Sequence, residues 1–273
     1  MRRESKRMRK LRESRSAKRS AKIQVIGCGE AFDVDLGNTS YLFSGVGYPS
    51  ILFDCGYQIP ERLWKAELHS SLDAVCFTHL HADHSFGIVP LLMRYWEEKR
   101  RKPLDIFGPR CIQTYVRKLF DLGYPGAFNR LGFSLRFHEF SPAKPLTWKG
   151  LKFSTARTVH SVLNLTIRVD LKGMAKSFAV SGDGQITEET MRLVEDVDLL
   201  FQEVYTAEPE VPVHADLQTV AAFVARARLK KVLIAHQGRG EKPRVLWRVS
   251  QLAKKDRRWG VSRVGLASRL VWG

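Results

Sequence analysis

The sequence has few cysteines and no long apolar run. Only 4 of its 273 residues are cysteine, they lie far apart, and none forms a Cys-x-x-Cys pair. A disulfide framework is therefore not expected. The four thiols should instead be reduced and mostly buried. No run approaches the roughly 18 apolar residues of a transmembrane helix, and the N-terminal segment lacks the apolar stretch of a secretory signal. These absences predict a cytoplasmic protein that does not bind a membrane.

Acidic residues are scarce relative to basic ones. The chain has 45 Lys and Arg against 28 Asp and Glu, for a net charge of +17, which favours anionic partners such as nucleic acid or phosphorylated metabolites. Residues 1–22 alone hold 11 Lys and Arg, 2 acidic residues and almost no large apolar side chains. Such a segment cannot bury enough surface to offset its ordering entropy. We predict a disordered basic tail over 1–22 and a single folded domain over 23–273.

Short β-like runs dominate both halves of the predicted domain. A helical pattern interrupts them after Ser85, where Ile88, Leu91, Leu92 and Tyr95 share one apolar face. The alternation predicts an α/β fold with two mixed sheets back to back and helices outside. The predicted strands are 22–27, 40–44, 50–56, 73–79, 131–137, 151–155, 165–170, 176–181, 197–202, 231–236 and a final SRLVW, and the later helices are 187–195, 215–228 and 244–255.

The segment His79-Leu80-His81-Ala82-Asp83-His84 places three histidines and an aspartate within six residues. Alternate residues of a strand face the same side, so His79 and His81 can bind one ion. Asp83 and His84 can face a second ion where the chain turns towards a helix. Imidazole together with carboxylate suits Zn²⁺, with Mn²⁺ or Fe²⁺ as alternatives. The pattern predicts a metal site.

This string resembles the HxHxDH signature of the metallo-β-lactamase superfamily, and the resemblance extends over nearly the whole chain after the tail. His160 in ARTVHSV, Asp183 in AVSGDG and His236 in VLIAHQG stand where that superfamily has its remaining ligands. The resemblance implies an αββα sandwich that binds two metal ions, Zn²⁺ by first choice. It also implies the distribution of ligands: His79, His81 and His160 on one ion, Asp83, His84 and His236 on the other, and Asp183 bridging them.

Within the superfamily the chain is most similar to the ribonuclease Z branch. The segment LLFQEVYTAEPEVPVHADLQTVAAFVARARLKKVLIAH resembles the branch's stretch between a glutamate after a strand and a histidine before a helix. Glu203 and His214 match this pair, in which the histidine protonates the leaving oxygen and the glutamate orients it. The candidate catalytic residues are therefore Asp83, His214 and Glu203.

The chain also departs from the branch. The branch commonly has HST where this chain has His214-Ala215-Asp216, and Asp-Thr where it has Asp183-Gly184. Ribonuclease Z proteins often carry a long arm that binds transfer RNA, and this arm is inserted between the third histidine and the bridging aspartate. In this chain the step from His160 to Asp183 is only 23 residues, which leaves no room for such an arm. Either other basic elements grip RNA or the substrate is smaller. Those elements are the tail, the run Lys99–Lys102 and Arg239, the candidate for binding a substrate phosphate.

The resemblance implies a dinuclear metal-dependent phosphodiesterase. The first choice of substrate is RNA, with the chain acting as an endonuclease in tRNA 3′-end processing. The alternative is a hydrolase of a small phosphodiester or other ester, and a binding protein without activity is a third interpretation. The expected partner is accordingly precursor tRNA or a small phosphodiester, and a homodimer is left open. An alkoxide leaves poorly without a proton, so His214 and Glu203 favour phosphodiester chemistry.

Overall fold

The computed structural model of the protein describes residues 20–270. The predicted tail lies outside the described residues as far as position 19. Strand β1 (Ala21–Gly27) begins within the segment that the charge count assigns to the tail, so residues 21 and 22 belong to a sheet. Among the helices of residues 20–270, none is long and apolar enough to cross a membrane.

The first sheet has seven strands. Besides β1 it contains β2 (Ser40–Gly45), β3 (Tyr48–Phe53), β4 (Ala74–Cys76), β5 (Leu104–Gly108), β6 (Leu135–Glu139) and β14 (Ala267–Leu270). Their order across the sheet is β14-β1-β2-β3-β4-β5-β6. The pairs from β14 to β3 are antiparallel, and those from β3 to β6 are parallel.

The second sheet repeats this arrangement. It contains β7 (Leu146–Trp148), β8 (Leu151–Arg157), β9 (Leu165–Leu171), β10 (Lys176–Val180), β11 (Leu199–Glu203), β12 (Val232–Ala235) and β13 (Trp259–Val261). Their order is β13-β12-β11-β10-β9-β8-β7. The pairs from β7 to β10 are antiparallel, and those from β10 to β13 are parallel.

Helices cover the outer face of each sheet. Those on the first sheet are α1 (Ile59–Lys65), α3 (Ile88–Glu97) and α4 (Ile112–Gly123), and those on the second are α5 (Glu188–Val194), α6 (Leu217–Arg226) and α7 (Lys242–Lys255). The short helix α2 (Ala82–Ser85) lies between β4 and α3. The four residues predicted to share one face of α3 are all buried. The order helix, sheet, sheet, helix confirms the predicted αββα sandwich.

Aromatic side chains fill the space between the sheets. Phe43 of β2 stacks on Phe178 of β10 with ring centroids 5.3 Å apart, and Tyr41 lies 4.2 Å from Phe201 of β11. Burying such rings stabilises a core by several kilocalories per mole each, about 3–5 kcal/mol by the loss on truncation to alanine. These contacts therefore hold the two sheets packed face to face.

The structure contains elements that the hydropathy pattern did not predict, namely α1, β5, α4, β7 and β13. Helix α4 shows why: its N-cap residue is Cys111, which has φ 71° and makes no side-chain cap. The usual Ser, Thr, Asp or Asn start signal is therefore missing. Strands β7 and β13 are only three residues long, too short for an alternating pattern to be recognised.

Candidate metal centre

The histidine-rich segment follows β4, where the parallel strands of the first sheet end. The chain bends at Thr78 and runs without regular structure through His79, and α2 begins at Ala82 with His81 as its extended N-cap residue. His79 and His84 are buried, whereas His81 is half-buried. The segment thus lies between a strand and a helix as predicted, but the strand ends at Cys76, before His79.

Three of the predicted ligands form a first group. One ring nitrogen from each of His79, His81 and His160 lies within 4.8 Å of the others. His160 reaches the group from the loop after β8, and its Nδ1–H donates to the carbonyl oxygen of Val213 at 2.7 Å. This bond leaves Nε2 of His160 as the ligating atom, 3.1 Å from Nδ1 of His81.

The second group contains Asp83, His84, Asp183 and His236. Nε2 of His84 lies 3.3 Å from Asp83 Oδ2 and 3.4 Å from Asp183 Oδ1. Nε2 of His236 lies 3.4 Å from Oδ2 of each of the same two aspartates. Asp183 is also 3.9 Å from His79 Nε2 of the first group. The structure therefore brings all seven predicted ligands together, with Asp183 facing both groups.

Unpaired buried nitrogens mark the place that metal ions would fill. Among the described residues, His79 Nε2 and His84 Nε2 are buried without a hydrogen-bond partner. An unsatisfied buried polar group costs about 1–3 kcal/mol, which a coordinate bond would remove. The imidazole and carboxylate donors are those that Zn²⁺ takes in proteins. The residues present fit a metal centre.

The electrostatics of two of the predicted ligands, His79 and Asp183, favour their ligating forms. Burial, together with the nearby His84, lowers the pKa of His79 well below its usual value, so its imidazole is neutral. For Asp183 burial acts to raise the pKa, but His236 and His84 outweigh it and hold the pKa well below the ordinary range. Neutral imidazole and ionised carboxylate are the states that bind a metal.

A carboxylate that supports the centre was missed in the sequence. Asp54 follows β3 and is fully buried. Its Oδ2 accepts hydrogen bonds from Thr78 Oγ1 at 2.8 Å and His84 Nδ1 at 2.9 Å, and its Oδ1 accepts from Thr78 N at 2.8 Å. Burial raises the pKa of Asp54, and His84 opposes that rise. Such a carboxylate would fix the ring of His84 and leave its Nε2 available as the ligating atom. Its sequence signal was the aspartate that ends the apolar run ILF.

The residues after Asp54 also fix the backbone of α2. Cys55 N donates to the carbonyl oxygen of His84 at 2.7 Å. A Cβ at Gly56 would lie 1.9 Å from the carbonyl oxygen of Asp83, so only glycine fits there. The segment after β3 and the histidine-rich turn are therefore packed as one unit.

The predicted proton-donating pair lies beside the second group. Glu203 ends β11, and its Oε1 is 2.6 Å from Nδ1 of His214. Its Oε2 accepts from the backbone N–H of Ala215 at 2.9 Å and of Gly184 at 3.0 Å. Donor atoms of Glu203 and His214 also lie within 4.8 Å of those of Asp183 and His236. The pair is therefore directed at the same centre.

The structure gives a reason for two of the departures from the ribonuclease Z pattern, those at Asp183-Gly184 and at His214-Ala215-Asp216. Gly184 has φ 101°, a conformation that a threonine would adopt only with strain, and its N–H binds Glu203. Asp216 is the N-cap of α6, where its Oδ1 accepts from Thr219 N at 2.8 Å. Each replacement thus preserves the surroundings of the Glu203–His214 pair.

Burial shifts the pKa values of the pair in opposite directions. It lowers the pKa of His214, with Asp183 opposing the shift. It raises the pKa of Glu203 well above its usual value, and the charge of Asp183 adds to that rise. The ring of Tyr205 stacks on His214 with centroids 4.3 Å apart and an angle of 21° between the planes. The imidazole is therefore held on one face by a ring and at Nδ1 by a carboxyl group.

The remaining basic candidates differ in their surroundings. Arg239 lies three residues after His236 and is 66% exposed, with Nε 2.9 Å from Glu30 Oε1. The run Lys99–Lys102 is not a free charged face: Arg100 donates to Leu72 O at 2.7 Å, and Lys102 pairs with Asp73 at 3.1 Å. Arg100 and Lys102 of that run therefore stabilise the fold through contacts within the protein.

The interval between His160 and Asp183 is filled by β9 and β10, which pair directly with each other. Only Lys172–Ala175 lie between the two strands. A long arm is therefore absent from this interval, which the structure describes completely.

The sandwich, and the cluster of histidines and aspartates at the ends of its strands, define the class of the protein. It is a member of the metallo-β-lactamase superfamily of metal-dependent hydrolases and falls in the ribonuclease Z-like branch. Within that class the chain belongs to the family described as anti-Pycsar protein Apyc1, whose model matches residues 21–254.

Individual relatives are more distant. The ribonuclease Z of Archaeoglobus fulgidus is 28% identical over 143 residues, which cover 52% of this chain and 45% of that protein. The anti-Pycsar protein Apyc1 of Bacillus phage BSP38 is 26% identical over 153 residues, covering 56% of this chain and 57% of that one. The chain thus spans about half the length of these curated relatives. The metallo-β-lactamase fold protein YhfI of Bacillus subtilis superposes with a TM-score of 0.74 at 21% identity over 92% of this chain and 100% of that one, which shows the fold.

Proposed function

We propose that the chain is a dinuclear metal-dependent phosphodiesterase whose substrate is a cyclic nucleotide. The observation that carries the proposal is the group of seven predicted ligands with the Glu203–His214 pair beside it. The short connection between β9 and β10 supports a small substrate, because it leaves no arm to grip a folded RNA. The family to which the chain belongs is linked to cyclic nucleotide degradation, which supports the same choice.

The proposed ligands divide as the resemblance implies, with Zn²⁺ as first choice and Mn²⁺ or Fe²⁺ as alternatives. Two such ions, when bound, supply a water of lowered pKa and neutralise charge on the phosphate. Asp183 would hold both ions in place, and Asp54 would fix His84. Asp83 would serve as a ligand next to the reacting phosphate. The sets are His79, His81 and His160 for one ion and Asp83, His84 and His236 for the other.

His214 would supply the proton that the leaving oxygen needs. Its Nδ1 is engaged by Glu203, so Nε2 is the atom that donates. Glu203 is itself fixed by two backbone N–H groups, and Tyr205 restrains the ring of His214. In a cyclic phosphodiester the leaving ribose oxygen stays attached to the product, so protonation also prevents reclosure. Arg239 would bind a phosphate oxygen through its terminal amino groups.

A second candidate is an RNA endonuclease that acts on precursor tRNA at its 3′ end. The net charge of +17, much of it in residues 1–22, favours a polyanionic substrate, and ribonuclease Z proteins are among the relatives. A basic segment of this kind can bind RNA by releasing counterions without reading its sequence. The cytoplasmic location and the homodimer stay predictions.

The experiment is a direct comparison of substrates. The full-length protein is incubated with purine and pyrimidine 3′,5′-cyclic nucleotides, with precursor tRNA and with bis(p-nitrophenyl) phosphate, each with and without a chelator. We expect chelator-sensitive opening of a cyclic nucleotide to exceed the cleavage of precursor tRNA. Cleavage of the tRNA precursor without turnover of any cyclic nucleotide would favour the second candidate.

A further inference from the structure

The loop between β1 and β2 is braced by hydrogen bonds and an ion pair, although it carries exposed apolar side chains. Asp33 Oδ1 accepts from the backbone N–H of Asp35 at 3.1 Å and of Leu36 at 2.9 Å, and its Oδ2 pairs with Lys242 at 2.8 Å. Asn38 Nδ2 donates to Ala31 O at 2.9 Å. These contacts stabilise the conformation of the loop without any ligand.

This loop runs beside the metal centre. The N–H of His236, a proposed ligand, donates to Cys28 O at 3.0 Å at the start of the loop. Three residues further on, Arg239 meets Glu30 of the same loop. These two contacts place the start of the loop alongside 236–239, the segment that begins with the proposed ligand His236.

Phe32 is the exposed aromatic ring of this aligned pair of segments. It is 63% exposed, although burying a phenylalanine is strongly favourable. The guanidinium carbon of Arg239 lies 5.3 Å from the centroid of its ring. The loop thus presents an aromatic ring beside a cation that lies three residues after the proposed ligand His236.

Glu30 holds this arrangement. Its carboxylate is 3% exposed, so its charge is nearly removed from water, and Arg239 is the cation that compensates it. Its other oxygen, Oε2, accepts from the N–H of Phe32 at 3.1 Å. One buried carboxylate therefore positions both the guanidinium and the backbone of the aromatic residue. Among residues 20–270, the terminal amino groups of Arg239 have no hydrogen-bond partner, which leaves them free for a ligand.

We propose that Phe32 is the platform on which the nucleobase of the cyclic nucleotide stacks, with Glu30 and Arg239 as the residues that position it. This inference rests on the proposed function, since it names how the same centre recognises its substrate. Aromatic side chains stack on any base, so the platform gives affinity for nucleotides over other phosphodiesters. The phosphate then lies on the side of Arg239 and the metal ions, and the base lies on the side of Phe32.

The test compares a cyclic nucleotide with a substrate that lacks the base, the 3′,5′-cyclic phosphate of 1,2-dideoxyribose. Phe32→Ala should raise KM for the cyclic nucleotide roughly 5- to 150-fold, the range for loss of one base stack. It should leave kcat nearly unchanged, because the ring touches the base and not the reacting atoms. It should also leave KM for the base-free substrate unchanged, and Phe32→Trp should restore KM for the nucleotide. Glu30→Gln should raise KM for the nucleotide less, about 2- to 5-fold, because it weakens the ion pair that positions the Arg239 guanidinium beside the ring of Phe32.

Trp247→Ala is the matched control. Trp247 lies on α7 and is 64% exposed. The substitution therefore removes an aromatic ring of similar exposure from a different element, and the KM of neither substrate should change. If Phe32→Ala leaves the nucleotide KM unchanged while the wild type turns the nucleotide over, the platform is refuted and the phosphodiesterase function stands. If the wild type opens no cyclic nucleotide at all, both proposals are overturned. An equal rise for the base-free substrate would refute the stacking role, because it would place Phe32 in the folding or phosphate contacts.

Discussion

In each of the two sheets, antiparallel strands lead into four parallel strands, and the proposed ligands follow the strands at the same edge. The first sheet supplies four of them from one turn after β4, within six residues of chain. The second sheet supplies three from separate places: His160 after β8, Asp183 after β10 and His236 after β12. It also supplies the Glu203–His214 pair from the end of β11 and the loop that follows.

This difference separates two ways of building a site on one architecture. A turn that carries several ligands depends on local geometry, so its residues sit close in sequence. Ligands on separate strands depend on the register of the whole sheet, because each side chain reaches the centre only when its strand is paired. The second sheet adds the groups that we propose select the chemistry, and the first concentrates the proposed metal ligands. Variants in the two sheets should therefore fail in different ways.

The largest expected effect comes from removing the ligand shared by both groups. Asp183→Ala should lose most of both metal ions and reduce kcat/KM by about 10⁴-fold or more, a modest part of the rate enhancement that enzymes supply. His81→Ala, a change in the first sheet, should retain about one ion per chain, because Asp83, His84, Asp183 and His236 remain. Metal content per chain, measured by mass spectrometry, checks both. Full occupancy in either variant would contradict the ligand assignment.

The second effect separates the chemistry of the second sheet from metal binding. His214→Ala should slow hydrolysis of an alkyl or nucleotide phosphodiester by about 10² to 10⁴-fold, the usual contribution of a general acid. An activated aryl diester should be nearly unaffected, because p-nitrophenolate, with a pKa of roughly 7, leaves without a proton. Glu203→Gln should show a weaker form of the same selectivity.

Metal content is the control for this pair of variants and should stay at the wild-type value. Equal loss on both substrates, or loss of metal, would make His214 a ligand or a structural residue.

A smaller effect is expected from the carboxylate that supports the first sheet's turn. Asp54→Asn should weaken metal affinity about 10- to 100-fold, because His84 loses the acceptor that orients its ring. Competition with a fluorescent chelator measures this affinity. Asp105→Asn is the matched control: Asp105 is also buried in this sheet and pairs with a histidine, His138, at 2.7 Å, but neither belongs to the centre. Similar losses in the two variants would show that Asp54 acts only through stability.

The smallest effect on catalysis should come from outside both sheets. Deleting residues 1–19 removes basic side chains without touching β1, so turnover of a small phosphodiester should not change. If the segment contacts RNA, the deletion should flatten the dependence of RNA affinity on salt concentration. Fluorescence anisotropy over a range of salt concentrations measures this slope. An unchanged slope would show that these residues do not bind RNA.

The same contrast between the sheets governs what the sequence could predict. The role of the turn from His79 to His84 can be predicted from its sequence alone, because its proposed ligands are a few residues apart and alternate as a strand requires. His160, Asp183 and His236 are isolated in sequence, and only the family resemblance singled them out. Asp54 was missed because its role arises from a strand end that packs against Thr78 and His84, a contact between neighbouring strands with no local pattern.

The fold class followed from the alternation of strands and helices, yet several elements did not. Helix α4 begins without a capping signal, and β5 directly follows a charged run that ends in Pro103. The meaning of Gly184 was also hidden: it reads as a departure from the branch, whereas the structure shows a backbone donor to Glu203 that needs a positive φ. Such roles depend on tertiary contacts that composition and spacing do not contain.

Strand β14 has a consequence for how the chain is made. It pairs with β1 in the register Ala21 to Leu270, so the outermost strand of the first sheet is supplied after the whole second sheet has been synthesised. A ribosome translating this message leaves one edge of β1 without its neighbour for almost the entire elongation time. Unpaired strand edges are sites of intermolecular association. We therefore expect chains stalled before β14 to depend most on chaperones, although every proposed metal ligand has by then been incorporated.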